Sequence, residues 1–387
     1  MSVPSSASRF RVQRQPNFEN LRRTVLRQGP PGPVPFVELF ADPGMVEAVL
    51  GEKFGADLHR YIEEPLVDVS ADELRGLLKA VEMYIRFCYE MGYDYVFMVT
   101  GLHFRRSQMA VADTAAVPNW AGGLRYWQDE SSGPIQSWED FEAYPWPRAE
   151  EVSYAAFEYL NAVLPDGMKI SVFQFGGVFE NATWLMGLQP FSYALRDQPE
   201  LVEAICQRVG ELTTAVAAHV VTIDNVGMLF LGDDLGFYSG TLVSPDVLRR
   251  YIVPHYKKMA EVAHRAGKLF LFHSCGNVYK LMDDFIDDVG IDAKHSFEDK
   301  ILPVEEAYRR WGDRIAILGG LDMDLLGRGT EEQVRARTRQ ILEACGARGT
   351  GYGLGTGNTA ANYVPVQNYL AMLDEGRRWN REHFGAA

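Results

Sequence analysis

The chain has little of what would place it in a specialised class of protein. Its 387 residues include only four cysteines, whose spacing matches no disulfide framework, so we expect free thiols and a reducing cytoplasm. The apolar runs are no longer than a strand, which predicts no membrane-spanning helix. Basic residues number 38 against 52 acidic ones, and the net charge of −14 argues against nucleic-acid and anionic-membrane partners.

What the sequence does have is a regular alternation of short apolar runs and longer amphipathic stretches, which is typical of parallel βα units. The predicted strands are Val34–Phe40, Tyr95–Val99, Lys169–Phe175, Gly227–Leu231, Lys268–His273, Ile291–Ser296, Ile315–Gly319 and Gly351–Leu354. Helices are predicted between them. Eight such strands predict an α/β fold of the (β/α)₈ TIM-barrel type, with the active site at the carboxyl ends of the strands. An open doubly wound sheet is the alternative, but no glycine-rich fingerprint follows the first strand.

The composition suggests one domain with two additions. Residues 1–28 are interpreted as an N-terminal arm, flexible or in contact with another subunit, and residues 29–387 as the barrel domain. Residues 118–147 break the βα pattern with four tryptophans and two glycine turns. We interpret this stretch as a β-hairpin insertion after strand two, lying over the barrel mouth as a lid or a packing flap.

The strongest candidate for chemistry is the sequence His273-Ser274-Cys275, at the end of predicted strand five. Alternate residues of a strand share a face, so His273 and Cys275 follow Leu271 towards the mouth if the strand persists. An imidazole and a thiol side by side supply half of a tetrahedral zinc site. The alternative is a buried histidine with a cysteine as a small apolar filler.

Other strand ends carry further polar side chains. We predict catalytic roles for Asp234 and His295 and substrate contacts for a second group. That group consists of Glu38, Gln174, Asp322 and Tyr352. Each one could instead belong to a structural polar network, but their common position on one rim favours a site for a small-molecule substrate.

With these segments the chain resembles the uroporphyrinogen decarboxylase superfamily from about residue 30 onwards. The stretches that carry the resemblance are 191–199 (FSYALRDQP), 232–236 (GDDLG), 242–245 (LVSP), 273–277 (HSCGN) and 358–368. The resemblance implies a (β/α)₈ barrel. True uroporphyrinogen decarboxylases have an arginine-rich motif after strand one that binds propionate groups, whereas residues 38–43 here read ELFADP.

The other branch of the superfamily contains zinc methyltransferases, which move methyl groups between a corrinoid protein and a thiol such as coenzyme M. Their ligands are His-x-Cys after strand five and a cysteine after strand eight. His273 and Cys275 match the first two, but the strand-eight loop has Thr356 and Gly357 instead. The resemblance therefore implies zinc-dependent methyl transfer with a corrinoid partner and a different third ligand.

Three residues could complete the ligand set, namely Asp234, His295 and Glu298. Strands four and six flank strand five in a barrel with sequential strand order, which brings Asp234 and His295 within reach. We predict His295 as the ligand because it shares the inward parity of Ala293. The alternative functions are a metal-free decarboxylase and a ligand-binding barrel without catalysis.

Overall fold

The structure is a computed structural model that describes residues 11–54, 71–100, 102–112, 124–174 and 176–385. Its strands are β1 (Tyr95–Thr100), β2 (Gln108–Ala112), β3 (Leu124–Gln128), β4 (Lys169–Gln174), β5 (Val226–Gly232), β6 (Gly236–Phe237), β7 (Gly240–Thr241), β8 (Leu269–His273), β9 (Ala293–His295), β10 (Ala316–Leu318) and β11 (Tyr352–Gly353). Seven of them form one curled parallel sheet in the order β1-β4-β5-β8-β9-β10-β11. This α/β architecture confirms the predicted parallel βα pattern.

The helices cover the sheet. They are α1 (Phe18–Leu26), α2 (Pro43–Leu50), α3 (Ala71–Met91), α4 (Trp138–Ala143), α5 (Ala155–Val163), α6 (Val178–Met186), α7 (Leu188–Asp197), α8 (Pro199–Val220), α9 (Pro245–Tyr251), α10 (Val253–Arg265), α11 (Val304–Trp311), α12 (Met323–Arg328), α13 (Glu331–Ile341) and α14 (Val366–Phe384). Every residue of β5 and β8 is buried. Burial on both faces explains why these strands are continuous apolar runs in the sequence.

The predicted first strand, Val34–Phe40, is the exception. This segment makes only single parallel bridges, from Phe36 to Leu354 and from Ala41 to Ala360. Pro33 and Pro35 have no N–H to donate, so a continuous ladder cannot form there. On its other side, the Tyr95 hydroxyl of β1 lies 2.6 Å from the backbone N of Glu38 and 2.5 Å from its carbonyl oxygen. A side chain takes the place of strand pairing.

The region after β1 contains an antiparallel pair, β2 with β3, which starts earlier in the chain than the hairpin predicted at 118–147. Residues 113–123 between these strands lie outside the described residues. Within the predicted stretch, Trp138–Ala143 is the short helix α4. Trp146 packs edge-on against Tyr144, with ring centroids 4.8 Å apart. The later part of the stretch is therefore packed on its own aromatic side chains.

The described part of the predicted N-terminal arm includes α1, whose Leu21 and Val25 are buried. The side chain of Asn17 caps this helix by accepting from the N–H of Asn20. All four cysteines are free thiols, as predicted. None of the helices in the described ranges is both long and apolar enough to span a bilayer.

Candidate metal centre

Three ligand-type side chains meet at the carboxyl ends of β5 and β8. His273 is the last residue of β8, Cys275 follows two residues later, and Asp234 lies two residues beyond the end of β5. The His273 Nε2 is 3.4 Å from the Cys275 Sγ and 3.8 Å from the Asp234 Oδ1. All three ligand atoms lie within 4.8 Å of one another. One nitrogen, one sulfur and one oxygen therefore converge on a common point.

Hydrogen bonds from the backbone N–H groups of each loop to side chains of the other hold this arrangement. The N–H of Cys275 donates to the Asp234 Oδ1 at 2.9 Å, and the N–H of Leu235 donates to the Ser274 Oγ at 3.1 Å. Gly276 has a φ of +75°, and a Cβ there would collide with the backbone of Gly236. The sequence HSCGN thus needs its glycine so that the β8 loop can lie against the loop after β5.

The surroundings favour the neutral forms of the His273 imidazole and the Cys275 thiol. Burial, with the nearby charge of Lys294, lowers the pKa of His273 to about 3. Burial and the Asp234 carboxylate raise the pKa of Cys275 well above its usual range. A divalent cation reverses the second effect, because it deprotonates a coordinated thiol. The set of nitrogen, sulfur and oxygen donors suits zinc, and three protein ligands leave one position for another molecule.

Asn358 is a fourth side chain at this point, which the sequence analysis did not single out. Its Nδ2 lies 3.2 Å from the Cys275 Sγ, and it comes from the loop after β11. The zinc methyltransferases that the sequence resembles have a cysteine ligand on the corresponding strand-eight loop. In this chain an amide from that loop reaches the thiol instead.

The two adjacent aspartates after β5 have different environments. Asp233 is fully buried and accepts from the backbone N–H of Phe179 and of Glu180, each at 2.8 Å, and from the Tyr256 hydroxyl at 2.5 Å. Burial raises the pKa of Asp233 to about 7, although these donors favour its charged form. Asp233 therefore anchors the start of α6, and Asp234, whose side chain is 44% exposed, belongs to the centre.

Glu180 is a second residue that the sequence analysis missed. It lies in the first turn of α6, and burial followed by the charges of Asp234 and Asp233 raises its pKa well above the usual range. Like Asp234, it influences the Cys275 thiol electrostatically. A carboxyl group that stays protonated near the centre can donate a proton. Its sequence position, in a helix far from β5 and β8, gave no signal for this.

His295 lies behind His273, on the side away from the centre. The two Nδ1 atoms are 2.8 Å apart, and the Nε2 of His295 is 3.2 Å from the carbonyl oxygen of Thr356. Both ring nitrogens of His295 are therefore engaged. Among the described residues, the ligand atoms that converge come from Asp234, His273 and Cys275. The third member of this group is Asp234 and not His295.

The backbone beneath the centre is fixed by Lys294. This side chain is fully buried, and its Nζ donates to the carbonyl oxygens of Ser274 at 3.3 Å, His295 at 3.0 Å and Ser296 at 2.9 Å. Ser296 has a φ of +78°, which is uncommon for a residue with a side chain. Lys294 thus ties the carboxyl ends of β8 and β9 together and holds a strained residue in place.

The four residues predicted to contact substrate make their hydrogen bonds with other partners than Asp234, His273 and Cys275. The Gln174 Nε2 donates to the Thr213 carbonyl in α8 at 3.2 Å, and the Tyr352 hydroxyl donates to the Gly319 carbonyl at 2.9 Å. Asp322 caps α12 by accepting from the N–H of Asp324 at 2.8 Å. Their polar atoms meet backbone groups, and their predicted substrate role stays a prediction.

Glu38, the fourth of them, is fully buried. Its Oε1 accepts from the Thr356 Oγ1 at 2.5 Å, and its Oε2 has no hydrogen-bond partner within the described structure. Burial raises the pKa of Glu38 to about 8, so that this carboxyl is mostly protonated at neutral pH. It is also close to Tyr93, whose hydroxyl meets that of Tyr369 in α14 at 2.5 Å. Glu38 lies between the sheet and the helices.

The fold and the site together define an α/β protein with a candidate metal centre at the carboxyl edge of a curled parallel sheet. Comparison with known proteins narrows this class. The model of the uroporphyrinogen decarboxylase (URO-D) family matches residues 115–379, and the chain therefore belongs to that family. This confirms the resemblance seen in the sequence.

The proteins similar to this chain include a curated decarboxylase and a solved methyltransferase structure. A curated uroporphyrinogen decarboxylase from Dechloromonas aromatica (strain RCB) is 30% identical over 89 residues, which are 23% of this chain and only 24% of that protein. A solved structure described as a methyltransferase from Methanosarcina mazei aligns with 93% of this chain and 98% of its own, with a TM-score of 0.64 and 17% identity. At that identity the second likeness shows a shared fold.

Proposed function

We propose that this chain is a zinc-dependent methyltransferase of the URO-D family, which transfers a methyl group between a corrinoid protein and a small thiol or other small substrate. The observation that carries the proposal is the convergence of Asp234, His273 and Cys275 at the strand ends. The fold shared with a methyltransferase supports it. The absence of the arginine motif from residues 38–43 favours this branch over the decarboxylases.

The residues divide the work as follows. Asp234, His273 and Cys275 hold the metal, which when bound keeps a coordinated thiol as a nucleophilic thiolate at neutral pH. The Asn358 amide lies against the Cys275 sulfur and limits where a ligand can approach. Where a small substrate other than a thiol gives up its methyl group to the corrinoid, Glu180 can donate a proton to the leaving group that remains, since its pKa is raised by burial and by Asp234.

Further parts of the proposal concern the surroundings of the centre. We propose that segment 34–41 completes an eight-stranded barrel with the seven paired strands, which would put the centre in the barrel mouth. The single bridges at Phe36 and Ala41 support this closure. Four free thiols suit a reducing cytoplasm.

The first test measures metal. Purified protein loaded with zinc should hold close to one equivalent, and His273→Ala and Cys275→Ala should each lose it. His264→Gln, which changes an exposed histidine of α10, and Cys206→Ala, which removes a buried thiol of α8, are the matched controls and should keep it. Wild-type protein that retains no zinc after gel filtration would rule out the metal centre.

The second test measures methyl transfer. Methylcobalamin serves as the donor probe and 2-mercaptoethanesulfonate (coenzyme M) as the acceptor, and demethylation is followed by the change in cobalamin absorbance. The rate should depend on zinc and disappear in Cys275→Ala. If the protein binds zinc but transfers no methyl group to any thiol of a panel, the metal centre stands and the proposed methyltransferase activity is wrong.

A second candidate function is metal-free decarboxylation, which the family and the raised pKa of the Glu180 carboxyl favour. In this case Glu180 would protonate the carbanion that forms when carbon dioxide leaves. Incubation with uroporphyrinogen decides between the two, because loss of acetate carboxyl groups without added metal supports the decarboxylase. Retention of all four acetate groups eliminates that substrate.

A further inference from the structure

We propose that His295 is a positioning residue that fixes the tautomer of His273, so that the Nε2 of His273 faces the candidate metal centre without a proton. That this nitrogen takes a metal rests on the proposed function. The tautomer itself follows from the hydrogen bonds of the chain and can be tested without metal.

The argument starts at Thr356. A carbonyl oxygen has no proton and can only accept, so the Nε2 of His295, 3.2 Å away, must carry the hydrogen of this bond. A neutral imidazole has one N–H. The Nδ1 of His295 is then left with a lone pair.

The surroundings of His295 favour this neutral form. The ring is fully buried, lies edge-on to Phe230 with centroids 5.7 Å apart, and has the Lys294 ammonium group nearby. A second positive charge in this place would be poorly solvated and would repel Lys294. The three contacts of the ring are thus an aromatic edge, a carbonyl oxygen and a second imidazole.

The second step passes from His295 to His273. These residues are paired in register across β8 and β9, and their rings are 5.1 Å apart with a tilt of 32°. Their Nδ1 atoms are 2.8 Å apart, which is hydrogen-bond distance. Since the Nδ1 of His295 has the lone pair, the Nδ1 of His273 carries the hydrogen. Its Nε2 then has the free lone pair, 3.4 Å from the Cys275 Sγ and 3.8 Å from the Asp234 Oδ1.

These two successive hydrogen bonds would prepare His273 to bind a metal ion. A histidine ligand binds through the nitrogen that has no proton, and a partner on its other nitrogen selects that form and orients the ring. Carboxylates and carbonyl groups commonly supply this partner. Here a second imidazole supplies it, and its own tautomer is selected by the Thr356 carbonyl.

The direct test is long-range ¹H–¹⁵N correlation NMR of the full chain, labelled with ¹⁵N-histidine and free of metal, near pH 7.5. The His273 and His295 signals are assigned by their absence from variants at each position. We expect His273 with a protonated Nδ1 and a bare Nε2, and His295 with a protonated Nε2 and a bare Nδ1. A His273 ring with a bare Nδ1 overturns the inference.

Two variants of His295 test the consequence. His295→Asn places its Oδ1 near the former Nδ1 and can still accept from His273, whereas His295→Leu cannot. Partners of this kind change metal affinity by about 10–100-fold, so zinc affinity should fall by that factor in His295→Leu and largely recover in His295→Asn. Thermal unfolding curves show whether both proteins are folded. If they are, equal zinc affinity in wild type and His295→Leu overturns the positioning role.

The two hypotheses fail in different ways. If zinc does not bind the wild type but the NMR shows the expected tautomers, the proposed function fails and the inference about His273 stands. If zinc binds and the tautomers are reversed, the inference fails and the metal centre stands.

Discussion

The site residues predicted at the ends of β5, β8 and β9 differ from those predicted at the ends of β4, β10 and β11 in what they contact. At the first three strands, Asp234, His273 and His295 contact one another or Cys275 through their side chains. At the other three, Gln174 and Tyr352 donate to backbone carbonyls and Asp322 caps a helix. All six strands belong to one parallel sheet.

A position at the carboxyl edge of the sheet therefore does not by itself bring a polar side chain to the candidate metal centre. Gln174 reaches α8, and the Tyr352 ring lies edge-on to Tyr308 in α11. Both side chains therefore leave the sheet on the side that the helices cover. Buried polar groups need hydrogen-bond partners, and on that side of the sheet these two side chains find them in backbone carbonyl groups.

Glu38 should behave as a structural, protonated carboxyl. Burial raises its pKa to about 8, so between pH 4.5 and 8 the folded chain holds a proton that the unfolded chain has lost. Its contribution to stability is complete below pH 4.5 and is lost progressively as the pH rises from 4.5 through 8, by an amount on the order of 5 kcal/mol. Urea unfolding of wild type and Glu38→Gln from pH 5 to 9 should show the variant gaining on the wild type as the pH rises. Parallel profiles would contradict this.

The adjacent aspartates should separate stability from metal binding. Asp233→Ala leaves two backbone N–H groups and the Tyr256 hydroxyl without their acceptor, and we expect a loss of about 3 kcal/mol in the free energy of unfolding. Asp234→Ala removes a half-exposed side chain and the acceptor of one hydrogen bond from the Cys275 N–H, so its unfolding free energy should fall by only about 1 kcal/mol while zinc affinity drops. Urea titration and zinc competition measure both. The reverse pattern would exchange the roles of the two residues.

The sequence was sufficient for most of the sheet because parallel strands buried on both faces are continuous apolar runs. β5 and β8 illustrate this, since all their residues are buried. It was insufficient for Val34–Phe40, where prolines limit the pairing to single bridges. Two helix starts carry side chains that are typical caps, because Ser244 accepts from the N–H of Val247 and Thr330 forms a capping box with Gln333.

The site was only partly predictable. His273 and Cys275 are two residues apart on one strand end, so local parity was enough to pair them. Parity could not choose between Asp233 and Asp234, because the strand ends at Gly232 just before them. Parity also predicted that His295 points inward, but it could not show that its ring forms a hydrogen bond with His273. Contacts between distant loops, such as that of Asn358 with Cys275, depend on loop paths that local sequence does not determine.

A substitution of Asn358 can test the candidate metal centre by strengthening zinc binding. Its side chain already reaches the Cys275 sulfur from the strand-eight loop, so Asn358→Cys should add a second thiolate ligand. Thiolates are strong zinc ligands, and we expect zinc to bind on the order of tenfold more tightly. Competition against a chromophoric chelator measures this. Asn358→Ser, which is small and polar but not a thiolate, is the control, and equal affinity in both variants would place residue 358 outside the coordination sphere.

The smallest expected effect belongs to Tyr352, on the structural side of the division. Its hydroxyl donates to the Gly319 carbonyl at 2.9 Å, and its ring is fully buried. Tyr352→Phe keeps the ring and removes this one hydrogen bond, which should cost about 1 kcal/mol in the free energy of unfolding. Zinc affinity and the KM for the methyl acceptor should stay at the wild-type values, because the hydroxyl faces a backbone carbonyl instead of the centre. A rise of several-fold in KM without a change in stability would move Tyr352 to the substrate side and break the comparison between the two groups of strands.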